Sequence, residues 1–160
     1  MRKILYIIPG WEESCRRKPY QSLARIAKKK GYEVVLNNVN WNKRLSPQVF
    51  PIPKNAVVFG FSLGAVLAWL VAQDFPCRHL ILASMTPHYS WKDQKIRKAL
   101  VDLAGSRFVN DVTKNLSLKH QARKQTLMYG KHEEEPGDII VPNTGHKLSD
   151  RYIKEIARIL

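Results

Sequence analysis

The sequence predicts a three-layer α/β fold, built on a mostly parallel six-stranded sheet with helices on both faces. Three observations predict it. Apolar runs alternate with helical patterns from one end of the chain to the other. The strand-like runs are continuously apolar, as a sheet covered on both faces requires. Strand–helix alternation in turn calls for right-handed crossovers and parallel pairing. At 160 residues, with no internal repeat, low-complexity tract or linker, the chain is expected to be one domain over 1–160.

Residues 3–8 are a β-branched-rich strand stopped by Pro9-Gly10. The basic start of this segment resembles a secretory leader, but its apolar run is five residues long, so a first strand is the better reading. A helix follows over 17–30, with Tyr20, Leu23, Ile26 and Ala27 on one face. Lys28-Lys29-Lys30 fill its last turn, where cations oppose the helix dipole, and Gly31 is expected at its C-cap. Residues 32–36 form the second strand. The polar stretch 37–55 reads as a loop with at most a short helix.

The third strand is expected over 56–60, followed by an apolar helix over 63–75 that Pro76 closes. Its apolar stretch is too short to cross a bilayer. Strands follow at 79–84, 126–129 and 138–141, and an amphipathic helix at 149–160. Residues 85–125 are the one long interruption. They are basic, carry a helical pattern over 92–103, and are the candidate for a small cap over a site.

Gly60-Phe61-Ser62-Leu63-Gly64 joins the third strand to the apolar helix. A G-x-S-x-G pattern occurs by chance in many chains; strand before and helix after are its test. A serine on so tight a turn needs small residues two before and two after, and Gly60 and Gly64 meet that need. Ser62 then projects from the sheet edge with a helix N-terminus behind it to stabilise negative charge. The plainer alternatives are a glycine-flanked turn with an incidental serine, or a phosphate-binding turn. The segment lacks both the P-loop lysine and the G-x-G-x-x-G of dinucleotide folds. Ser62 is therefore read as a nucleophile.

With this pentapeptide in place the chain resembles the α/β-hydrolase fold superfamily, in particular its small lid-poor serine hydrolases. The resemblance covers the whole chain in element order and is specific around Ser62 and His146. It implies strand order 2-1-3-4-5-6, with the first and third strands adjacent where the winding reverses. It implies backbone N–H donors for an oxyanion at Trp11 and Leu63, although Pro9 stands where the family usually has histidine. The family's catalytic histidine follows the last strand, which is the place of His146 in Thr144-Gly145-His146. The family's acid follows the penultimate strand, often three residues past a glycine. Gly130-Lys131-His132-Glu133 fits, so Glu133 leads, with Glu135 and Asp138 as alternatives in the same crowded turn. The chemistry implied is cleavage of an acyl ester or thioester through a Ser-His-acid triad, with no cofactor and no metal.

Cys15 and Cys77 have no metal-ligand spacing and read as free thiols in a reducing compartment, and the cytoplasm is the default expectation. The charge stands out: 27 Lys+Arg against 13 Asp+Glu, a formal net +14. Such an excess favours anionic partners, and it is spread along the whole chain. A solvated basic surface is the bland reading. One alternative is a basic, non-catalytic protein of this fold that binds nucleic acid or an acidic carrier protein, nucleic acid being the less favoured. Another joins charge to chemistry: a hydrolase of acyl groups borne by something acidic, such as an acyl carrier protein or a phosphorylated carrier.

Overall fold

A computed structural model describes residues 2–160. Strands β1 (Lys3–Ile8), β2 (Tyr32–Leu36), β3 (Val57–Phe61), β4 (His79–Ala83), β5 (Gln125–Gly130) and β6 (Ile139–Val141) form one sheet in the order β2-β1-β3-β4-β5-β6. Every pairing is parallel, with Leu5 opposite Val57, Val57 opposite His79, and Leu80 opposite Gln125. The helices are α1 (Lys18–Lys29), α2 (Leu63–Asp74), α3 (Gln94–Ala104), α4 (Ser106–Asn115) and α5 (Asp150–Ile159).

Side chains alternate across each strand and so supply two cores. Leu5, Ile7, Val57, Phe59 and Ile81 face α1 and α5, where Tyr20, Leu23, Tyr152 and Ile156 meet them. Ile8, Val58, Leu80 and Leu82 face α2 on the other side. This double cover is the reason the strands are apolar without a break. It also accounts for α2, in which every residue from Leu63 to Ala72 is buried between the sheet and what lies outside it. Each such leucine or valine contributes about 1.5–3 kcal/mol by leaving water.

What lies outside α2 is the 85–125 segment. A 3-10 turn (His88–Trp91), α3 and α4 add Trp91, Leu100, Phe108, Val109 and Val112 to the same buried cluster as α2. The helical pattern expected over 92–103 is α3; α4 follows after a break at Gly105, whose φ of 86° ends one helix and starts the next. The 37–55 loop holds a single 3-10 turn, Ser46–Gln48, and buries Val39, Leu45 and Ile52 against α2's side.

Two boundaries differ from expectation for a physical reason. The Ser62 amide donates to Ala83 O at 2.8 Å, so β3 stays in the sheet one residue longer and ends at Phe61. Gly31 lies one residue beyond the α1 C-cap, which is Lys30. With φ at 82° the glycine adopts the left-handed conformation that turns the chain into β2.

Candidate active site

Ser62 occupies the junction of β3 and α2 with φ 56° and ψ −126°, a conformation costly for a residue with a Cβ. The surrounding packing holds it there. A Cβ at Gly60 would lie 2.5 Å from Gly64 O, and a Cβ at Gly64 would lie 2.1 Å from Pro9 O. Only glycine at both positions lets strand, helix and the β1 exit approach so closely. Gly10 of that exit is also near: a Cβ there would sit 3.3 Å from Ser62 Cβ. The Pro9-Gly10-Trp11 turn therefore lies directly beside the serine.

A buried network pins this turn from behind. Gly10 N–H donates to the Tyr20 hydroxyl at 2.9 Å, and that hydroxyl donates to Glu13, which also accepts from Arg17 at 2.6 Å. Burial, reinforced by the Glu13 carboxylate, pushes the Tyr20 phenol well up, so it remains a donor. Trp11 itself projects toward Trp41 and Phe108, with ring centroids 5.2 Å and 5.6 Å away and edge-on geometry.

His146 lies in the loop between β6 and α5. Its Nε2 is 2.8 Å from Ser62 Oγ, and its Nδ1 is 2.8 Å from Glu133 Oε1. Ser62 is 8% exposed while the His146 side chain is 54% exposed, so the pair opens to solvent on the histidine side. The histidine loop can come this near because of Gly130 at the end of β5. A Cβ there would fall 2.2 Å from Thr144 O.

Glu133 ends the 3-10 turn Lys131–Glu133 after β5 and is only 11% exposed. Its Oε2 accepts from Gly130 N–H at 2.6 Å and from Ser84 Oγ at 2.7 Å, with the Tyr152 hydroxyl at 3.3 Å. Burial works against ionisation, but the bonds from His146, Ser84 and Gly130 outweigh it and hold the carboxyl below its ordinary range. The other two carboxylates are engaged elsewhere. Glu135 accepts from the Tyr89 hydroxyl at 2.8 Å and Asp138 accepts from Leu127 N–H at 2.7 Å. The structure thus brings Ser62, His146 and Glu133 into one chain of hydrogen bonds, and leaves Glu135 and Asp138 outside it.

Ser84 and Tyr152 escaped the sequence reading. Ser84 follows β4 with φ 50°, and its hydroxyl also lies 2.7 Å from that of Tyr152. A polar residue ending an otherwise apolar strand at the same sheet edge as Ser62 was the available signal. Tyr152 gave none, since it falls on the apolar stripe of the last helix.

Cys15, Cys77 and His79 are buried. Burial pushes the Cys15 and Cys77 thiols up to about 11. His79 is buried with Nε2 2.8 Å from Thr126 Oγ1, and burial lowers its pKa to about 4, so it is a neutral strut between β4 and β5. No group of histidines, cysteines and carboxylates among the described residues could hold a metal ion. No helix among them is long and apolar enough to cross a membrane.

Strand order, all-parallel pairing and the strained serine turn together define an α/β-hydrolase fold. No protein-family model matches the chain, and no curated protein sequence does. Solved structures do. Alpha/beta hydrolase domain-containing protein 10 from mouse aligns with a TM-score of 0.69 at 11% identity, over 98% of this chain and 87% of its own. Est1E from Butyrivibrio proteoclasticus aligns at 0.66 and 9% identity, over 99% and 85%. Tomato Methylketone Synthase I aligns at 0.64 and 10% identity, over 99% and 98%. The protein has the α/β-hydrolase fold.

Proposed function

We propose that the protein is a serine hydrolase that cleaves acyl esters or thioesters through an acyl-enzyme. The observation that carries the reading is the continuous relay Ser62 Oγ–His146 Nε2–His146 Nδ1–Glu133 Oε1, with 2.8 Å at each of its two links. Ser62 Oγ attacks the acyl carbonyl while His146 Nε2 takes its proton. The same proton passes to the departing alcohol or thiol, and a water activated by His146 then releases the acid and frees Ser62. Glu133 fixes the imidazole tautomer and balances the imidazolium charge. The N–H groups of Trp11 and Leu63 hold the oxyanion, a role favoured by the contact of the Pro9-Gly10-Trp11 turn with Ser62 and by the N-terminus of α2.

The test is a fluorophosphonate probe, which phosphonylates an activated serine with loss of fluoride. The expected result is a single adduct at Ser62 in the folded protein, lost in Ser62→Ala together with essentially all ester turnover. Folded protein that takes no label removes the proposal. In that case steeply salt-dependent binding to a polyanion would favour the basic, non-catalytic alternative.

A further inference from the structure

A cleft of about 1250 Å³ opens between the Asn40–Gln48 part of the β2–β3 loop and one side of α4. We propose that this cleft is a subsite for a phosphate-bearing part of the substrate, a reading that rests on the hydrolase proposal and gives it a substrate class. Lys43 and Arg44 stand on the loop wall, Arg107 and Lys114 on the helix wall, all four exposed. Among the described residues none of the four forms an ion pair. The one carboxylate in the lining, Asp111, is buried and already engaged by the facing loop, accepting from Ser46 N–H at 2.9 Å and from the Ser46 hydroxyl. The cleft therefore presents four cations against one carboxylate already in use.

Its walls are braced. The Ser46–Asp111 bonds tie the loop to α4, and Gln48 Nε2 donates to Asn40 O at 2.9 Å and to Arg44 O at 2.8 Å, which fixes the backbone carrying the two loop cations. Trp41 adds an indole N–H that is buried without an acceptor among the described residues. Trp41 and Phe108 both line the cleft and both pack on Trp11. One aromatic layer thus separates the cleft from the turn beside Ser62. On this proposal the substrate carries its phosphate past this layer while its ester lies at Ser62. A phosphate, with three terminal oxygens, can accept from both walls at once, and arginine meets it with two parallel bonds where a carboxylate would use only one wall.

The test compares 6-(butanoyloxy)hexyl phosphate, whose chain can pass the aromatic layer, with hexyl butanoate, two esters differing by the phosphate. The parent is expected to prefer the phosphate ester, and the preference should weaken as salt rises toward 1 M. In Arg44→Ala/Arg107→Ala, which removes one cation from each wall, the ratio of the two kcat/KM values should fall at least about tenfold. Lys28→Ala/Lys29→Ala removes the same charge from the end of α1, in the opposite helical layer, and should keep the parent's ratio. An unchanged ratio in the cleft variant overturns the subsite, as does an equal fall in the α1 variant. Calorimetric binding of inorganic pyrophosphate to Ser62→Ala, lost when Arg44 and Arg107 are also replaced, reads the subsite without catalysis. Such binding in a protein whose Ser62 takes no fluorophosphonate label keeps the anion site and removes the hydrolase reading. If the cleft variant loses affinity for a single-stranded oligonucleotide but treats both esters like the parent, the cations belong to nucleic acid and the small-ligand subsite is overturned.

Discussion

Ser84 shows how much of the site depends on a residue outside the relay. Its hydroxyl donates to Glu133 Oε2 at 2.7 Å, leaving Oε1 for His146. Without it, a carboxylate that is only 11% exposed loses one of its donors and part of its orientation. Ser84→Ala is therefore expected to lower kcat by about ten- to a hundredfold through misalignment of the relay, with KM little changed. Steady-state kinetics on a neutral ester check this. A Ser84→Ala enzyme with parental kcat would mean that Gly130 N–H and Tyr152 suffice to hold Glu133. The choice of acid was open in the sequence because Glu133, Glu135 and Asp138 share a turn and have the same chemistry. Ser84 after β4, His146 after β6 and Tyr152 on α5 distinguish Glu133 from the others, and none of those is a neighbour in sequence.

At the scale of elements, the close approaches are made by glycines at the ends of strands. Gly60 and Gly64 were legible because the G-x-S-x-G pattern is local. Gly130 was read only as a landmark for the acid, yet it also makes room for the histidine loop, since a Cβ would meet Thr144 O at 2.2 Å and Gly145 O at 2.6 Å. Both are backbone atoms and cannot rotate away. Gly130→Ala is expected to push His146 from Ser62, cutting kcat/KM about a hundredfold or more and lowering Tm. Thermal melting and ester kinetics together check it, and unchanged kinetics would show that the loop yields without moving the imidazole. The 85–125 segment was the least legible element. Its helices are amphipathic, but which layer they cover depends on α2, whose outer face needs Trp91, Phe108 and Val112 to be buried. The 37–55 loop was obscure for a related reason, because its apolar residues are scattered and reach the core singly.

For the whole molecule the charge sets the expectation. A formal net +14 is balanced by few ion pairs between fixed charges among the described residues, namely Arg2 with Glu33, Arg17 with Glu13 and Arg158 with Glu155. Self-repulsion should therefore destabilise the fold at low salt. Raising ionic strength from about 0.01 M to 0.15 M shortens the screening length from about 30 Å to about 8 Å. Tm is expected to rise, by about 2–4 °C for each kcal/mol of repulsion removed. Calorimetry across that range measures it, and a falling Tm would mean that the ion pairs outweigh the repulsion. The four cations of the loop–α4 cleft add to this strain, which a bound anion would relieve.

The sequence by itself determined the six strands, four of the five helices, their order along the chain and the serine turn. Each of these follows from short-range rules: apolar runs, helical spacing, and glycines that permit a tight bend. It also singled out His146, after the last strand, by resemblance alone. Tertiary structure alone decided which carboxylate reaches that histidine, that Ser84 and Tyr152 hold it, and that the β2–β3 loop and α4 enclose a cationic cleft. Those outcomes depend on contacts between residues far apart in the chain. Parallel strands bring such residues to one sheet edge, and no local pattern records the meeting.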